Sequence, residues 1–483
     1  MSVFNDLEPK LLWSFFDEIR QVPRPSKKEG KIIAYLKATG EKLGVETEVD
    51  STGNVVMRKG ATPGKEKSPA VILQAHIDMV CEKNSDVTHD FENDPIDIYI
   101  EDNWLKANGT TLGADNGIGI AAALAVLASD DVEHGPIECL FTVDEETGLT
   151  GAAALGANAL KGSVLLNLDS EDDGEIFIGC AGGIDTVATL SYTPAMAPGN
   201  YFWATVTVKG LKGGHSGDDI EKGLGNANKI LNRFLWQQAR KTELRLACFD
   251  GGNLRNAIAR EAHALIGIPF DQKEQLRIDF NHYITDVEGE LLLNEPGIRL
   301  ELESDEAPAT VVDKKTSDTL LNALYACPHG VLRMSDELPG LVETSTNLAS
   351  VKFDDANNII VTTSQRSSIE SAKHNAAAMI NSVFTLAGAT VKHGEGYPGW
   401  KPNPNSPVVK TTVEAYERLF GNTPHVRAIH AGLECGLFLE KYPHWDMVSF
   451  GPTIRGAHSP FERLDIEATQ KFWKLLVEVL RTV

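Results

Sequence analysis

The stretch CLFTVDEETG, residues 139–148, decides the predicted fold. Residues 137–143 are largely apolar, and we predict that they form a buried strand. Three consecutive acidic residues, Asp144, Glu145 and Glu146, follow this strand directly. Because consecutive side chains at a strand end point in different directions, one carboxylate can bind an ion while its neighbour faces the water on that ion. A solvated acidic turn is the alternative interpretation of this stretch taken alone.

Three nearby segments place metal-binding side chains at a strand end or a turn. They are AVILQAHID (70–78) with His76 and Asp78, GADNG (113–117) with Asp115, and SVLLNLD (163–169) with Asp169. In an open α/β sheet, ligands bind beyond the carboxyl ends of the strands. A metal site at one edge of the sheet therefore explains the four segments together. The loop GAHS adds His458 as a further neutral donor, although a lone loop histidine is usually only a polar surface residue.

Length and composition indicate a globular protein with more than one domain. A chain of 483 residues is too long for one ordinary core, so we expect two or three domains. Its hydrophobic content of 42% is ordinary, and no apolar run is long enough to span a bilayer. The first residues lack the pattern of a secretory signal. These features predict a cytoplasmic protein without a membrane partner.

Net charge and cysteine spacing exclude several kinds of binding partner and structural site. The formal net charge of -23 argues against nucleic acid or an anionic membrane surface as a partner, because either would be repelled. The cysteines lie singly and without the close pairs of a structural zinc site, so we interpret them as mostly core thiols. They are Cys81, Cys139, Cys180, Cys248, Cys327 and Cys435.

The order of predicted elements divides the chain into two domains. Alternating helices and strands up to about residue 184 predict a three-layer α/β domain, to which residues 398–483 return. Near its start, Ser26 and Glu29 form a capping-box pattern that predicts the beginning of a helix. Residues 185–397 have a different order of predicted helices and strands, and we predict that they form an inserted lid domain.

The predicted lid contains a repeated order of elements. Strands and helices between residues 202 and 303 follow the order β-α-β-β-α-β, which is typical of a ferredoxin-like α+β fold. The same order recurs less cleanly from Ala309 to His393. We therefore predict a duplicated ferredoxin-like lid.

The motifs occur in an order that matches one family. They are HID at His76, GADNG around Asp115, DEETG around Glu145 and Glu146, LNLDSED around Asp169, GGHSG around His215, and GAHS at His458. This set resembles the dizinc exopeptidases of the aminoacylase and carboxypeptidase G type, over essentially the whole chain. The resemblance implies a zinc-exopeptidase catalytic domain in residues 1–184 and 398–483.

The resemblance also implies a ligand assignment. His76 and Asp169 would bind one zinc ion. Glu146 and His458 would bind the other, and Asp115 would bridge the two ions. Co²⁺ or Mn²⁺ are possible substitutes, since these ligands accept them as well.

The chemistry of peptide hydrolysis suits this assignment. Zinc lowers the pKa of bound water from about 15.7 to roughly 7, which supplies a nucleophile at neutral pH. Glu145, adjacent to a ligand, is predicted as the general base that takes the proton of the water and passes it to the leaving amine. Asp78, two residues after His76, can accept the other ring N–H and fix its tautomer. The alternative for Asp78 is a strand-end cap.

Further residues are predicted to bind the substrate. By resemblance, His215 polarises the scissile carbonyl and Asn256 holds the substrate. Arg366 could bind the C-terminal carboxylate of a dipeptide, for which a guanidinium is well shaped, or be a solvated strand-end residue. In the run HAGLECG, which contains His430, Glu434 could hold the free amine or be an acid at a helix N-terminus.

Together with these residues, the resemblance implies a cytosolic dizinc dipeptidase whose substrates include Xaa-His and β-Ala-His dipeptides. An N-acyl-amino-acid hydrolase or a carboxypeptidase on the same scaffold is one alternative, and it would need no acid for a free amine. A non-catalytic, metal-stabilised binding protein is the alternative of another class, and the presence of Glu145 disfavours it. A homodimer is possible, although a duplicated lid removes the need for a partner subunit.

Overall fold

The computed structural model describes residues 3, 4 and 6–483. The chain forms two compact units. The first comprises Met1–Gly179, Trp400–Ala428 and Leu433–Val483, and the second comprises Cys180–Gly399 and Ile429–Gly432. None of the helices in the described part of the chain is long and apolar enough to cross a membrane.

The helices and strands are numbered along the chain. The α-helices are α1 (Lys10–Ile19), α2 (Gly30–Leu43), α3 (Ala114–Ala128), α4 (Glu145–Gly148), α5 (Thr150–Ala154), α6 (Ala227–Lys241), α7 (Lys273–Leu291), α8 (Lys314–Ala326), α9 (Glu370–Leu386), α10 (Pro407–Phe420), α11 (Glu434–Lys441) and α12 (Ile466–Thr482). Short 3-10 helices cover Ile220–Lys222 and Phe270–Gln272. The strands are β1 (Glu46–Val49), β2 (Val55–Lys59), β3 (Val71–His76), β4 (Ile98–Glu101), β5 (Trp104–Ala107), β6 (Ile137–Thr142), β7 (Val164–Asn167), β8 (Glu175–Cys180), β9 (Gly182–Ser191), β10 (Pro194–Met196), β11 (Tyr201–Lys209), β12 (Arg245–Gly251), β13 (Ala262–Pro269), β14 (Arg299–Ser304), β15 (Thr310–Val312), β16 (Gly330–Met334), β17 (Val342–Phe353), β18 (Asn358–Ser367), β19 (Thr390–His393), β20 (His425–Ile429), β21 (Asp446–Ser449), β22 (Ile454–Arg455) and β23 (Arg463–Asp465).

The first unit is built on an eight-stranded mixed sheet with the order β1-β2-β6-β3-β7-β21-β8-β20. Strands β3, β6 and β7 are buried along their whole length, as expected for parallel strands covered on both faces. The register places His76 opposite Thr142 and Gln74 opposite Asn167, so the three strands end at the same edge of the sheet. The α/β prediction for this part of the chain is confirmed.

A smaller four-stranded sheet, in the order β22-β23-β5-β4, also belongs to the first unit. The loop between β22 and β23 carries His458. Helix α3, rich in small residues, is buried along most of its length and packs on β3. These elements bring the 113–115 turn and the His458 loop into the same unit as the strand ends.

The second unit contains an antiparallel nine-stranded sheet with the order β14-β11-β13-β12-β17-β18-β9-β19, and β16 pairs with β17. Elements β11-α6-β12-β13-α7-β14 form one ferredoxin-like arrangement, in which the first and third strands lie at the centre. Elements β9-α8-β17-β18-α9-β19 form another with the same strand order. The two arrangements meet where Gly251 of β12 pairs with Val351 of β17.

The expected start of the second repeat at Ala309 is wrong. Its first strand is β9, which precedes the whole first repeat in the chain. The strand after Ala309, β15, pairs instead with β10 in a separate two-stranded sheet. Local sequence patterns could not assign β9 correctly, because its partner β18 lies far away in the sequence.

The capping-box prediction at Ser26 is also wrong. Helix α2 begins at Gly30, and the Ser26 hydroxyl donates to Asp78 Oδ2 at 2.7 Å. The side chain of Glu29 accepts from the backbone N–H groups of Lys27 and Asp144. A tertiary partner has therefore replaced the local cap.

None of the six cysteines forms a disulfide in the described part of the chain, and four of them are buried. These are Cys139, Cys180, Cys327 and Cys435, while Cys81 and Cys248 are partly exposed. The interpretation of most cysteines as core thiols is confirmed.

Candidate metal and substrate site

Two ligand groups lie at the strand edge of the first unit. In one group, His76 Nε2 lies 3.0 Å from Asp115 Oδ1 and 3.4 Å from Asp169 Oδ1. In the other, His458 Nε2 lies 3.2 Å from Asp115 Oδ2 and 2.9 Å from Glu146 Oε2. The two carboxylate oxygens of Asp115 thus face different histidines. This is the arrangement that a carboxylate bridging two cations requires.

The donor set fits divalent metal ions. Imidazole and carboxylate are the ligand types that catalytic zinc sites use, and the ligand atoms of each group lie within 4.8 Å of one another. Glu146 Oε1 is buried and has no hydrogen-bond partner among the described residues, so it has room for a further ligand. Burial, together with the charges of Asp115 and Glu146, raises the pKa of Asp169 to about 6 against the opposing effect of His76. Bound cations would relieve this crowding of negative charge.

The histidines respond to the same carboxylates. Burial by itself lowers the pKa of His76, but the charge of Asp169 and hydrogen bonds to neighbouring carboxylates raise that pKa well above its usual value. Hydrogen bonds to Asp115 and Glu146 raise the pKa of His458 to about 11. In both cases the surroundings favour a positive charge at the position of the imidazole.

Glu145 and Glu146 occupy the first turn of α4, and the expectation that they end a strand is wrong in this detail. Strand β6 stops at Thr142, and Asp144 has a left-handed backbone conformation with φ 54° before the helix begins. Successive helical side chains diverge by about 100°, so the two glutamates still point differently. The Glu145 carboxylate also lies within 4.8 Å of ligand atoms of His76 and Glu146.

Burial raises the pKa of Glu145 well above its usual value, and the charges of Asp169, Glu434 and Glu146 add to that effect. The charge of His76 opposes it. A carboxylate with a raised pKa can accept a proton near neutral pH, which is the property that a general base needs.

Asp78 connects the two sides of the metal site. Its Oδ1 atom lies 3.4 Å from His76 Nδ1 and accepts from the Glu145 N–H at 3.0 Å. Its Oδ2 atom accepts from the Glu146 N–H at 3.2 Å and from Ser26. Although burial alone would raise the pKa of Asp78, these partners lower it to about 2. Asp78 therefore remains ionised while it accepts hydrogen bonds from Ser26 and from the backbone of Glu145 and Glu146.

The sequence analysis missed two buried residues that hold the Asp115 turn. Glu462 accepts four backbone N–H groups, from Leu112 and Gly113 through Oε2 and from Ala114 and Asp115 through Oε1. Its position four residues after His458 was the available signal.

The second missed residue is Arg24, between two prolines. It donates to the backbone carbonyls of Ile77, Asp78 and Gly113. It thereby ties the end of β3, which carries His76, to the turn that carries Asp115. No local sequence pattern marks this role.

In the second unit, three of the predicted substrate residues share one surface. Arg366, only 7% exposed, donates through Nε to Ser216 at 3.4 Å and through Nη1 to the Tyr397 hydroxyl at 2.9 Å. Its Nη2 atom lies 3.5 Å from His215 Nε2. Next to His215, the Ser216 N–H donates to the backbone carbonyl of Asn256 at 2.8 Å. The side chain of Asn256 is exposed.

His430 also belongs to the second unit. Its Nε2 atom lies 2.8 Å from Ser345 Oγ, and its Nδ1 is buried without a hydrogen-bond partner among the described residues. Burial and the charge of Arg366 lower the pKa of His430 to about 3. The ring is therefore neutral at physiological pH.

Glu434 lies in the first unit and begins α11. Its Oε2 atom accepts from Gln74 at 2.6 Å and from Thr142 at 2.8 Å, whereas Oε1 has no hydrogen-bond partner among the described residues. Burial raises the pKa of Glu434 to about 8 despite the nearby charge of His76.

An α/β sheet whose strand ends gather histidines and carboxylates in two adjoining ligand groups defines the class of metal-dependent hydrolases. The chain belongs to the Peptidase family M20/M25/M40, whose family model matches residues 72–482. It is accordingly a metallopeptidase.

Two relatives match essentially the whole chain. The chain is 47% identical over 483 residues to the cytosol non-specific dipeptidase of Escherichia coli (strain K12), covering 100% of this chain and 99% of the relative. The crystal structure of aminoacylhistidine dipeptidase from Vibrio alginolyticus matches with a TM-score of 0.94 and 46% identity, covering 100% of this chain and 98% of that one. The close relatives are thus dipeptidases.

A more distant structure shares the fold. The tripeptidase from Staphylococcus aureus subsp. aureus mu50 matches with a TM-score of 0.57 and 18% identity, covering 99% of this chain and 98% of that one. The fold extends well beyond the level at which the sequences are closely alike.

Proposed function

We propose that this chain is a cytosolic dipeptidase that hydrolyses dipeptides, Xaa-His and β-Ala-His among them, with two divalent metal ions. The observation that carries the proposal is the position of Asp115, with one carboxylate oxygen 3.0 Å from His76 and the other 3.2 Å from His458. The names of the two close relatives support a dipeptide substrate, one of them without and one with a histidine preference.

In this proposal, His76 and Asp169 would hold one ion, Glu146 and His458 would hold the other, and Asp115 would be shared by both. Zn²⁺ is the ion we favour, and Co²⁺ or Mn²⁺ can replace it because they accept the same ligands. When bound, the ions supply Lewis acidity, which makes a water molecule more acidic and a peptide carbonyl more electrophilic.

Glu145 is the proposed general base. Its carboxylate is close to ligand atoms of both groups, and its backbone N–H is fixed by Asp78. Glu145 takes a proton from the attacking water and delivers it to the nitrogen of the departing amino acid. Asp78 acts without touching the substrate, by orienting His76 and the first turn of α4.

Two residues are the proposed groups for the carboxyl half of the dipeptide. His215 polarises the scissile carbonyl, and Arg366 binds the C-terminal carboxylate. None of the contacts that Arg366 makes among the described residues of its unit is with a carboxylate, which supports an anionic ligand for it. Asn256 and His430 are the further substrate contacts in this proposal.

Glu434 is the proposed partner of the free amine. Its unpartnered Oε1 atom supports this role, because an ammonium group would supply the missing donor and would offset the burial that raises the pKa of Glu434. An N-acyl-amino-acid hydrolase would have no ammonium group to place there. Hydrolysis of Gly-His compared with N-acetyl-Gly-His therefore separates these two functions, and a preference for the acetylated compound would contradict the dipeptidase.

The catalytic assignment is tested with Glu145→Gln, which keeps the size of the side chain and removes its basicity. We expect normal metal content and a loss of at least about 100-fold in kcat for Gly-His. The exposed Glu133→Gln is the matched control and should behave like the parent. Substantial turnover by the Glu145 variant would remove Glu145 from the role of base.

A further inference from the structure

Tyr397 contacts Arg366 on the polar surface that also contains His215. Its hydroxyl accepts a hydrogen bond from Arg366 Nη1 at 2.9 Å, and no second partner binds that hydroxyl within the described residues. A phenol can donate one hydrogen bond as well as accept. The proton of the Tyr397 hydroxyl is therefore free for a ligand.

The ring of Tyr397 is held in place by close backbone contacts on two segments. A Cβ atom on Gly183 would lie 2.7 Å from ring atom Cζ, and one on Gly432 would lie 2.8 Å from Cε2. Contacts this short are not tolerated, so the ring fits only against glycine at both positions. The backbone N–H of each of Tyr397 and Gly183 donates to the backbone carbonyl of the other. Lys373 also donates to the backbone carbonyl of Tyr397, at 2.7 Å.

Arg366 is also fixed, and it keeps donors to spare. Ser216, Tyr397 and His215 each lie next to a different nitrogen of the guanidinium. A guanidinium has five N–H groups, so each terminal nitrogen retains capacity for a ligand. Arg366 and Tyr397 are thus neighbouring groups that each retain a donor for an anionic ligand.

The order of these groups matches the order of atoms in a dipeptide. His215, Arg366 and Tyr397 follow one another, with 3.5 Å from His215 Nε2 to Arg366 Nη2 and 2.9 Å from Arg366 Nη1 to the Tyr397 hydroxyl. In a dipeptide the scissile carbonyl and the C-terminal carboxylate belong to adjacent residues and are joined through one nitrogen and one Cα atom, and adjacent Cα atoms lie about 3.8 Å apart. A carbonyl at His215 would therefore leave the carboxylate beside Arg366 and Tyr397.

We propose that Tyr397 is a substrate-binding residue whose hydroxyl donates to the free C-terminal carboxylate alongside Arg366, and that this pair selects dipeptides with an unblocked carboxyl end. The inference rests on the proposed function, since it assigns the carboxyl side of the same site. A substrate extended or amidated at that end lacks the charge that both donors recognise and would be bound weakly.

Tyr397→Phe tests the proposal because it removes only the hydroxyl. We expect the KM for Gly-His to rise about tenfold, with kcat within about twofold of the parent, since a hydrogen bond to a charged group is lost. The KM for the amide, Gly-His-NH₂, should not change, because the amide lacks the anionic acceptor. Tyr325→Phe, at a half-exposed ring of the same unit, is the matched control.

The outcomes separate this inference from the function on which it rests. Equal rises in KM for the acid and the amide would show a general effect on the site and would overturn the role of Tyr397, as would no rise for either. If the parent cleaves neither compound, the dipeptidase assignment fails. In that case, calorimetry measures the affinities of the parent and of Tyr397→Phe for histidine and for histidine amide. The proposal predicts that the variant loses affinity for histidine and keeps its affinity for histidine amide.

Discussion

Oδ1 of Asp78 accepts a hydrogen bond from the backbone N–H of Glu145 at 3.0 Å and lies 3.4 Å from His76 Nδ1. One atom thus connects a proposed metal ligand with the segment that carries the proposed base. The Ser26 hydroxyl completes the contacts of this carboxylate at Oδ2. The position of the proposed base relative to the proposed metal ligands consequently depends on Asp78, although Asp78 is assigned to neither ligand group.

Asp78→Asn should weaken metal binding by about 10–100-fold, because an amide cannot accept at both oxygen positions. The measurement is chelator competition with zinc. Ser26→Ala, which removes one bond to the same carboxylate and leaves His76 untouched, is the control and should change affinity only slightly. Unaltered affinity in the Asn variant would show that Asp78 does not support the metal site.

Glu462→Gln should destabilise the fold by roughly 2–4 kcal/mol, because the new amide group faces backbone N–H donors that lose their acceptor. Chemical denaturation gives this difference directly. The loss should be larger in the zinc-loaded protein than after chelation, since the turn held by Glu462 carries Asp115. The exposed Glu467→Gln should change the stability of neither the zinc-loaded nor the chelated protein. Equal stability of the Glu462 and Glu467 variants would contradict the role of Glu462 in holding the Asp115 turn.

The buried His430 predicts a pH-dependent stability. Burial and the charge of Arg366 lower its folded-state pKa to about 3 from the ordinary 6.5, so the unfolded chain binds a proton that the folded chain does not. Its contribution to stability is therefore complete above about pH 6.5 and declines as the pH falls toward 3, by up to about 1.4 kcal/mol per pH unit.

Denaturation of the metal-free protein between pH 7 and 4.5 measures this slope, on the order of one proton. His430→Asn should reduce the slope of the unfolding free energy against pH by the equivalent of about one proton. His282→Gln, on an exposed helix surface, should leave the slope unchanged. Parallel profiles for the parent and the His430 variant would refute the buried neutral state of His430.

The sequence predicted the strand ends of the metal site well, because apolar runs that stop in acid or histidine are local patterns. His76, Asp169 and the acidic pair after β6 could be assigned to one sheet edge from such runs alone. Asp115 and His458 depended more on motif order, since a turn and a loop have no hydrophobic period. The proposed roles of the metal ligands, of Glu145 and Asp78, and of the substrate residues His215, Asn256, Arg366, His430 and Glu434 all stay predictions.

The features that sequence could not supply are long-range. Ser26 donates a hydrogen bond to Asp78 and does not cap a helix. Strand β9 belongs to the second repeat, although the whole first repeat lies between β9 and the rest of that repeat in the sequence. Arg24 and Glu462 act through backbone groups, which are the same for every residue type and leave no pattern in the sequence. Only the folded chain brings such partners together.

The central claim is a pair of metal ions at Asp115 that drives dipeptide hydrolysis. The most direct measurement is the metal content of the purified protein together with Gly-His hydrolysis, before chelation, after chelation and after return of zinc. We predict about two ions per chain, with activity lost on chelation and restored by zinc. A protein that hydrolyses Gly-His equally well without bound metal, or that binds none, would contradict the account.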